Sequence, residues 1–331
     1  EMRAIICEKF GGPEAVVLHE DVAVPEPKDG EVLVKIEARA VQYVDVLMVA
    51  GKYQFRPEPP FIPGGEAAGE IVGIGSGVHG WSLGDKVMSR HQPGAFAEFA
   101  ISKASELAKV PRNFTMAQSA GFRSAYTTAY HALVQRGSVQ EGETLVVLGA
   151  AGGIGLAAIQ MGKALGARVI AVASSDEKRA ACLTAGADEA IDYGPPTDGN
   201  PGRFRETIKE LTAGEGADVF WDPLGGWAFE ECTRCINWGG RILILGFLAG
   251  APALAKTNHL LIKGASAVGC RVGGLNEFQP EIAQQNVEVL VKLADEGKLN
   301  PLVSASLPLS EASKALQMLI DRDAIGKVIL T

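Results

Sequence analysis

Hydrophobic and polar residues alternate with a short period in the first third of the chain. Over residues 31–41 (EVLVKIEARAV), apolar and polar positions alternate and several apolar residues are β-branched, which predicts a half-buried strand. Residues 65–87 contain seven glycines among strand-like residues, a density typical of tight turns and bulges. This part of the chain is therefore predicted to form a β-rich domain.

Beyond residue 115, helix-like and strand-like segments alternate. Residues 116–137 predict helix because they are rich in Ala and Gln. Apolar runs at 144–148 and 168–173 enclose a glycine-rich turn and a helix-like segment, about 30 residues in all, which is the pattern of a βαβ crossover. Further strands are predicted near Ile191 and from Ala217, Arg241 and Gly264, with helices at 203–212 and 228–237. The alternation predicts a parallel, doubly wound sheet.

The C-terminal part predicts two amphipathic helices, around 280–297 and 310–321, and a short final strand (GKVILT). We expect this tail to return to the first domain. A length of 331 residues also favours two domains. The predicted domains are 1–122 with 272–331, and 123–271.

Charge and hydropathy make two classes of partner unfavourable. The formal net charge of −8 disfavours nucleic-acid binding, because an acidic surface repels phosphates. The longest uncharged stretch, residues 242–255, is interrupted by Gly and Pro and is too short to span a bilayer. The N-terminus has no signal-peptide pattern. We expect a protein that acts on a small molecule, with neither nucleic acid nor membrane as partner.

The cysteines do not predict disulfides. The chain has five, an odd number, and they are widely spaced, which favours reduced thiols in a cytoplasmic protein. Cys232 and Cys235 have the spacing of a metal-binding pair, but no second pair lies near them in the sequence. We interpret them as two thiols on one helix.

The glycine-rich turn at 149–155 (GAAGGIG) carries the clearest chemical signal. It follows a predicted strand and opens a predicted helix, which is the setting of a dinucleotide-binding turn. Glycine lets the backbone approach a pyrophosphate, and the helix N-terminus offers N–H groups to it. No Gly-Lys-Ser/Thr follows, so a Walker A loop fits less well. The predicted binding residues are Ala151, Gly152, Gly153 and Ile154; a small-residue turn that only packs a helix on the sheet is the alternative.

The end of the next strand favours NADPH over NADH. NAD-binding folds usually place an acidic residue there to hold the ribose 2′-hydroxyl, whereas this strand ends in Ser174 and Ser175. The Ser174 hydroxyl can donate to a 2′-phosphate and Lys178 can neutralise it. Two alternatives are that Asp176 takes the acidic role, and that Lys178 and Arg179 form a solvated helix face.

Several segments resemble one known family. Residues 63–78 (PGGEAAGEIVGIGSGV) resemble the signature of the medium-chain dehydrogenase/reductases, normally written with Gly-His-Glu. The glycine turn, residues 41–53 (VQYVDVLMVAGKY), TAYHAL at 128–133 and the final GKVIL resemble its zinc-free, zeta-crystallin-like quinone oxidoreductase branch. The resemblance covers the whole chain. It implies a GroES-like β-rich catalytic domain, a Rossmann domain that binds NADPH, and a homodimer joined at the edge strands near residues 264–270.

The zinc ligands of related alcohol dehydrogenases are replaced in this sequence. Gln42 stands at the position of the ligand cysteine and Gly65 at that of the ligand histidine. Glycine has no ligand atom, so the usual catalytic site has lost two donors. The cysteine-rich structural zinc lobe is also missing, since residues 8–181 contain no cysteine. The comparison implies hydride transfer without a metal ion.

The resemblance also assigns candidate cofactor contacts. Tyr193 joins Ser174 and Lys178 at the positions that surround the 2′-phosphate in quinone oxidoreductases. Thr128 is expected to touch the nicotinamide ribose or amide. Gly246 and Phe247 end the fifth strand of the predicted sheet, where backbone groups in this family meet the nicotinamide.

Three residues are candidates for catalysis. Tyr53 matches the tyrosine that related enoyl reductases are proposed to use as proton donor, and a phenol is protonated at neutral pH; an aromatic wall is the alternative. Gln42 replaces the family asparagine and is expected to hold either the substrate carbonyl or the cofactor ribose. Asp45 lies in the same motif and is equally plausible as a structural hydrogen-bonding residue.

Three functions remain open on the sequence alone. The first is an NADPH-dependent quinone oxidoreductase, in which hydride passes to a quinone or activated carbonyl. The second is an NADPH-dependent reductase of enones or enoyl thioesters. The third is a cofactor-binding, crystallin-like protein with little turnover, since a glycine turn indicates binding and does not prove catalysis.

Overall fold

The computed structural model describes residues 1–197 and 199–331, which divide into two compact units. Unit 1 comprises residues 1–124 and 287–331, and unit 2 comprises residues 125–286. Residues 272–286, which the sequence patterns place with the first domain, cluster with unit 2 in the structure. Within that segment Leu275 is buried, and Asn286 exchanges amide hydrogen bonds with Gln135 of unit 2.

The secondary structure alternates as the sequence patterns indicate. The strands described are β1 Met2–Cys7, β2 Val16–Val22, β3 Glu31–Val41, β4 Glu66–Ile74, β5 Lys86–Arg90, β6 Phe99–Lys103, β7 Ala108–Lys109, β8 Thr144–Val147, β9 Arg168–Val172, β10 Glu189–Ile191, β11 Ala217–Asp222, β12 Ile236–Ile244, β13 Ser266–Gly269, β14 Val303–Leu307 and β15 Lys327–Leu330. The α-helices described are α1 Tyr43–Val49, α2 Met116–Ala120, α3 Arg123–Tyr130, α4 Gly153–Ala164, α5 Asp176–Thr184, α6 Arg205–Leu211, α7 Gly226–Arg234, α8 Thr257–Lys263, α9 Val272–Phe278, α10 Pro280–Asp295 and α11 Ala312–Ile320.

Unit 1 is built around β3. This strand pairs antiparallel with β4, β6 and β15 in a seven-stranded sheet. Val32, Val34 and Ile36 are buried on one face of β3, as the alternating pattern predicts. Because β15 pairs with the end of β3, with Val328 opposite Val41, the C-terminal tail does return to the first domain.

Unit 2 contains a six-stranded sheet in the order β10-β9-β8-β11-β12-β13, and every pairing in it is parallel. The central strands are buried, as in a sheet covered by helices on both faces; Val146, Ile170, Phe220 and Ile242 belong to one core cluster. The predicted α/β class, with a GroES-like β-rich domain and a doubly wound parallel sheet, is confirmed.

One element boundary was predicted wrongly. The helix expected at 228–237 is α7, which ends at Arg234, and β12 begins at Ile236 instead of Arg241. The cause is tertiary pairing, because Ile236 is buried and lies opposite Ala217 of β11. Among the described residues, no helix combines the length and the apolar composition that crossing a membrane would require.

Candidate functional site

The glycine turn of unit 2 connects β8 to α4. Gly149 has a φ of +58°, a left-handed conformation that favours glycine, and Gly152 is the N-cap of α4. Ala151 is buried, while Gly152, Gly153 and Ile154 are half-buried. The first N–H groups of α4 lack partners within the helix and are available to an anion.

Two glycines of this turn have different packing. A Cβ atom on Gly155 would lie 2.5 Å from the carbonyl oxygen of Gly149 and 2.6 Å from that of Ala150, so glycine is required for α4 to pack on the turn. A Cβ atom on Gly152 would have its nearest neighbour, the Gly149 oxygen, at 3.7 Å. Gly152 therefore leaves space beside the helix N-terminus, as a pyrophosphate cradle requires.

Tyr193 lies at this same turn. Its hydroxyl accepts a hydrogen bond of 2.8 Å from the backbone N–H of Gly149. Its ring packs edge-on against Phe204 and Trp227, with centroid separations of 6.4 and 6.0 Å. The structure thus brings Tyr193 to the glycine turn, where the hydroxyl orients the backbone; a donor role toward a phosphate stays a prediction.

The end of β9 carries Ser174, which is exposed, and Ser175, which caps α5 by accepting from the Lys178 N–H at 3.2 Å. Arg179 donates to the Ala173 carbonyl at 2.8 Å and to the exposed Asp176 carboxylate at 2.6 Å. Asp176 is therefore ion-paired beside the strand end, and its negative charge is partly offset. The ion pair engages Oδ1 of Asp176, and the alternative in which Asp176 holds a ribose hydroxyl stays a prediction.

The next strand ends add two further groups. Asp222, at the end of β11, is buried and accepts from the N–H groups of Leu224 and Gly225 at 2.9 and 3.0 Å. Burial raises the pKa of Asp222, and these two hydrogen bonds oppose the rise. Beyond β12, Gly246 lies so close to the Pro223 carbonyl that a Cβ would approach it to 3.2 Å.

These residues share one edge of the sheet. Because parallel strands run in the same direction, the turns that follow β8, β9, β10, β11 and β12 all leave the sheet at its carboxyl edge, where open α/β sheets bind ligands. Phe247 is 52% exposed at this edge. Thr128 lies on α3 and is half-buried. The predicted cofactor residues that follow strands are therefore grouped by the topology of the sheet.

In unit 1, Gln42 and Asp45 form the first turn of α1. The Gln42 N–H donates to Asp45 Oδ2 at 2.8 Å, and the Asp45 N–H donates to the Gln42 carbonyl at 2.9 Å. Asp45 is only 2% exposed, and burial raises its pKa to about 7 even though the backbone of Gln42 and the charge of Lys327 lower it. Asp45 thus has a structural task, that of capping α1.

Glu66 contacts Gln42, a contact that the sequence patterns did not predict. Its buried carboxylate accepts from the side-chain nitrogen of Gln42 and, at 2.9 Å, from the Ser124 N–H at the start of α3. Burial raises its pKa, opposed by Lys327, the Ser124 hydrogen bond, Arg123 and Arg90. The signal was present, since Glu66 directly follows Gly65 in the family signature, but sequence spacing did not connect it to Gln42.

Tyr53 is half-buried in the loop between α1 and β4. Within the described chain, no protein group is hydrogen-bonded to its hydroxyl. Near the base of this loop, a Cβ on Gly51 would contact the Phe10 ring at 2.9 Å, and Arg56 lies 5.3 Å above that ring. The hydroxyl is thus available as a donor, and the loop is packed on Phe10.

The described residues contain no group of three or more His, Cys, Asp or Glu side chains arranged to hold a metal ion. Cys232 lies on α7 and Cys235 directly follows it; both are buried and free. Burial raises the pKa of both thiols.

Family models match both units. Residues 28–112 match the alcohol dehydrogenase GroES-like domain, and residues 153–286 match the zinc-binding dehydrogenase domain. A quinone oxidoreductase-like protein 2 homolog of Nematostella vectensis is 35% identical over 331 residues, 99% of this chain and 88% of that protein. Human quinone oxidoreductase is 30% identical, with 99% and 97% of the two chains covered.

A solved structure agrees with these relatives. Escherichia coli quinone oxidoreductase, complexed with NADPH, superimposes with a TM-score of 0.87 at 27% identity, covering 99% of each chain. The matches extend over both units and over nearly the whole length of the relatives. The chain therefore belongs to the medium-chain dehydrogenase/reductase superfamily, in its quinone oxidoreductase branch, and is an oxidoreductase.

Proposed function

We propose that this oxidoreductase transfers hydride from NADPH to a quinone without the help of a metal ion. The observation that carries the proposal is the carboxyl edge of the parallel sheet. There a glycine turn with open space at Gly152 stands beside a strand end that carries Ser174 in place of an acidic residue. Asp176, the carboxylate nearest to Ser174 in the sequence on the α5 side, is ion-paired to Arg179.

The cofactor would be held by four groups of residues. Ala151, Gly152, Gly153 and Ile154 would receive the pyrophosphate at the N-terminus of α4. Ser174, Lys178 and Tyr193 would surround the 2′-phosphate. Thr128 would contact the nicotinamide ribose or amide, and Gly246 and Phe247 the nicotinamide itself.

NADPH supplies the hydride, so the protein has to orient the reactants and supply hydrogen bonds. Gln42 and Gly65 stand at the positions of the usual zinc ligands. Hydrogen-bond donors would therefore have to polarise the acceptor in place of a metal ion. Quinones are strong acceptors that need little acid assistance. A quinone is also the substrate class in the names of the relatives.

A second candidate is favoured by Tyr53. An enone or enoyl thioester requires a proton at the α-carbon after hydride reaches the β-carbon. The Tyr53 hydroxyl makes no hydrogen bond with a described protein group and is half-buried. It is therefore our candidate proton donor, with Gln42 and Asp45 as its neighbours in the same sequence motif.

We also propose that the protein is a homodimer joined through β13. This strand lies at the end of the parallel sheet, so one side of its backbone is unpaired within the described unit. Trp238, Leu261 and Ile262, on the neighbouring β12 and α8, are 73%, 81% and 69% exposed. Burial of such large apolar side chains would stabilise an edge-to-edge pair of sheets.

Five free cysteines support a reducing compartment, and we propose the cytoplasm.

A cofactor and acceptor screen tests the function. Purified protein, treated with a chelator, is mixed with NADPH or NADH and with small quinones, enones or enoyl thioesters. We expect NADPH oxidation with quinones, weaker use of NADH, and no change after chelation. Loss of activity on chelation with recovery on adding zinc, or a preference for NADH, would contradict the proposal.

A further inference from the structure

Three consecutive N–H groups tie the glycine turn to its surroundings. Those of Leu148 and Ala150 donate to backbone carbonyls of β11 and β9, the two strands that flank β8, at 3.0 and 3.2 Å. The N–H of Gly149, between them, donates to the Tyr193 hydroxyl at 2.8 Å. Tyr193 follows β10, which lies one strand beyond β9. The middle anchor of the turn is therefore a side chain, supplied by a strand that does not pair with β8.

Gly149 is the residue of the turn at which such an anchor matters most. Its φ of +58° lies in the left-handed region, and glycine has more backbone freedom than any other residue, so Gly149 alone does not fix the path of the chain. The N–H groups of Gly153, Ile154 and Gly155 follow at the start of α4, and within the described chain none of them donates to a protein acceptor. The direction in which these groups point depends on the path that is set at Gly149.

The Tyr193 ring is held in place independently of this hydrogen bond. The rings of Tyr193, Phe204 and Trp227 meet edge-on in a triangle, with centroid separations of 6.4, 6.0 and 6.2 Å. The Tyr193 backbone also packs closely on Gly202, where a Cβ atom would lie 2.5 Å from the Tyr193 carbonyl oxygen. Aromatic pairs of this geometry stabilise the position of each ring. Removal of the hydroxyl alone should therefore leave the ring where it is.

The hydrogen bond acts on a part of the site that both nicotinamide nucleotides would use. Under the proposed function, Tyr193 surrounds the 2′-phosphate together with Ser174 and Lys178, and only NADPH carries that phosphate. The glycine turn, in contrast, would receive the pyrophosphate, which NADPH and NADH share. A hydroxyl that accepts from Gly149 should therefore contribute to the affinity for both nucleotides.

We propose that Tyr193 is a positioning residue of the pyrophosphate site, whose hydroxyl fixes the Gly149 N–H and thereby directs the N–H groups at the start of α4 toward the ligand. The proposal rests on the proposed function, since it requires that a nicotinamide nucleotide binds at the glycine turn. It adds a task that Tyr193 performs through Gly149, without contact with the pyrophosphate. All the residues concerned belong to unit 2.

Nucleotide binding by Tyr193→Phe tests the proposal. NADH is the decisive ligand, because it lacks the 2′-phosphate. Dissociation constants of NADH and NADPH are measured by titration calorimetry for wild type and variant. Loss of one hydrogen bond that positions the turn is expected to weaken NADH binding about five- to tenfold, and NADPH binding by at least as much.

Hydrogen exchange gives a second readout that needs no nucleotide. In wild type the Gly149 amide should be protected from exchange, since its hydrogen is bonded to Tyr193. In Tyr193→Phe the Gly149 amide should exchange faster, whereas the Ala150 amide, bonded to β9, should keep its wild-type rate. An unprotected Gly149 amide in wild type would overturn the proposal, whether or not the variant folds.

Tyr126→Phe is the matched control, which separates positioning from folding. Tyr126 is a buried tyrosine of the same unit, and its hydroxyl donates to the Gln160 side chain at 2.5 Å. The control therefore also deletes one hydroxyl hydrogen bond of a tyrosine, but outside the glycine turn. We expect Tyr126→Phe to lower Tm and to leave both dissociation constants unchanged.

The possible outcomes are distinct. Unchanged NADH affinity in Tyr193→Phe, with reduced NADPH affinity, would assign the hydroxyl to the 2′-phosphate alone and overturn the proposal. Unchanged affinity for both nucleotides, with a lowered Tm, would show that the hydroxyl serves only the fold and would also overturn it. If wild type binds neither nucleotide, the proposed function fails as well; if wild type binds NADPH and reduces quinones, a contrary result overturns only the role of Tyr193.

Discussion

Alanine substitutions at two glycines of the same turn should affect different properties of the protein, stability in one case and NADPH binding in the other. Gly155 packs α4 against the turn, whereas Gly152 borders open space at the helix N-terminus. We predict that Gly155→Ala destabilises the protein, and that Gly152→Ala leaves the fold intact but weakens NADPH binding.

The magnitude for Gly155→Ala follows from the packing. The new methyl would lie 2.5 Å from the Gly149 oxygen, 2.6 Å from the Ala150 oxygen and 2.7 Å from the Ala150 carbonyl carbon. These are backbone atoms, so either the turn or α4 must shift. Overpacking of this kind costs about 1–3 kcal/mol. In a domain of this size, each kcal/mol lowers Tm by roughly 2–4 °C, so a fall of about 2–12 °C is expected.

The expectation for Gly152→Ala is different. This residue has φ −72° and ψ 170°, a conformation that alanine adopts without strain, and the nearest atom to the added methyl is 3.7 Å away. Replacing a glycine N-cap by alanine costs at most about 1 kcal/mol. The methyl would nevertheless occupy the space through which a pyrophosphate approaches the helix N-terminus. We expect NADPH affinity to fall at least tenfold.

Thermal unfolding monitored by circular dichroism, and NADPH binding by calorimetry, measure both effects on the same samples. The pair serves as its own control, since each variant adds one methyl group to one turn. Full NADPH affinity in Gly152→Ala would refute the placement of the pyrophosphate. A wild-type Tm in Gly155→Ala would refute the packing argument.

Three other predictions concern single side chains. Burial lowers the pKa of His91 to about 4, against 6.5 in the unfolded chain. Between these two pH values only the unfolded state binds the proton. The free energy of unfolding should therefore be unaffected by His91 above pH 6.5 and should fall by about 3 kcal/mol as the pH drops to 4. The difference in unfolding free energy between wild type and His91→Gln, measured in urea at several pH values, should shrink over that window, and a constant difference would count against the buried neutral imidazole. Lys178→Ala should weaken NADPH binding by about tenfold or more, the value of one charge-assisted hydrogen bond, and leave NADH binding unchanged; equal losses for both nucleotides would contradict a 2′-phosphate contact. Tyr53→Phe should reduce enone turnover by about a hundredfold and alter quinone turnover little, whereas unchanged enone turnover would remove Tyr53 as the proton donor.

Local sequence patterns determined much of the fold. The alternation over β3, the apolar runs of β8 and β9, and the glycine turn between them were readable because hydrophobic period and glycine content act within a few residues. The boundary between α7 and β12 was not readable, since Ile236 is drawn into a strand by pairing with β11. At Ile236, pairing with Ala217, nineteen positions earlier in the chain, outweighs the local preference for helix.

The candidate site shows the same division. The sequence alone was enough to predict a dinucleotide turn, the replacement of two zinc ligands and a serine at the end of β9, because each prediction depends on which residue type stands at a few neighbouring positions. Only the tertiary structure brought Glu66 to Gln42 and the Tyr193 hydroxyl to Gly149, over separations of 24 and 44 residues. Such contacts depend on the order of the strands in a sheet and on which turns meet at its edge. A local pattern of side chains does not determine either of these.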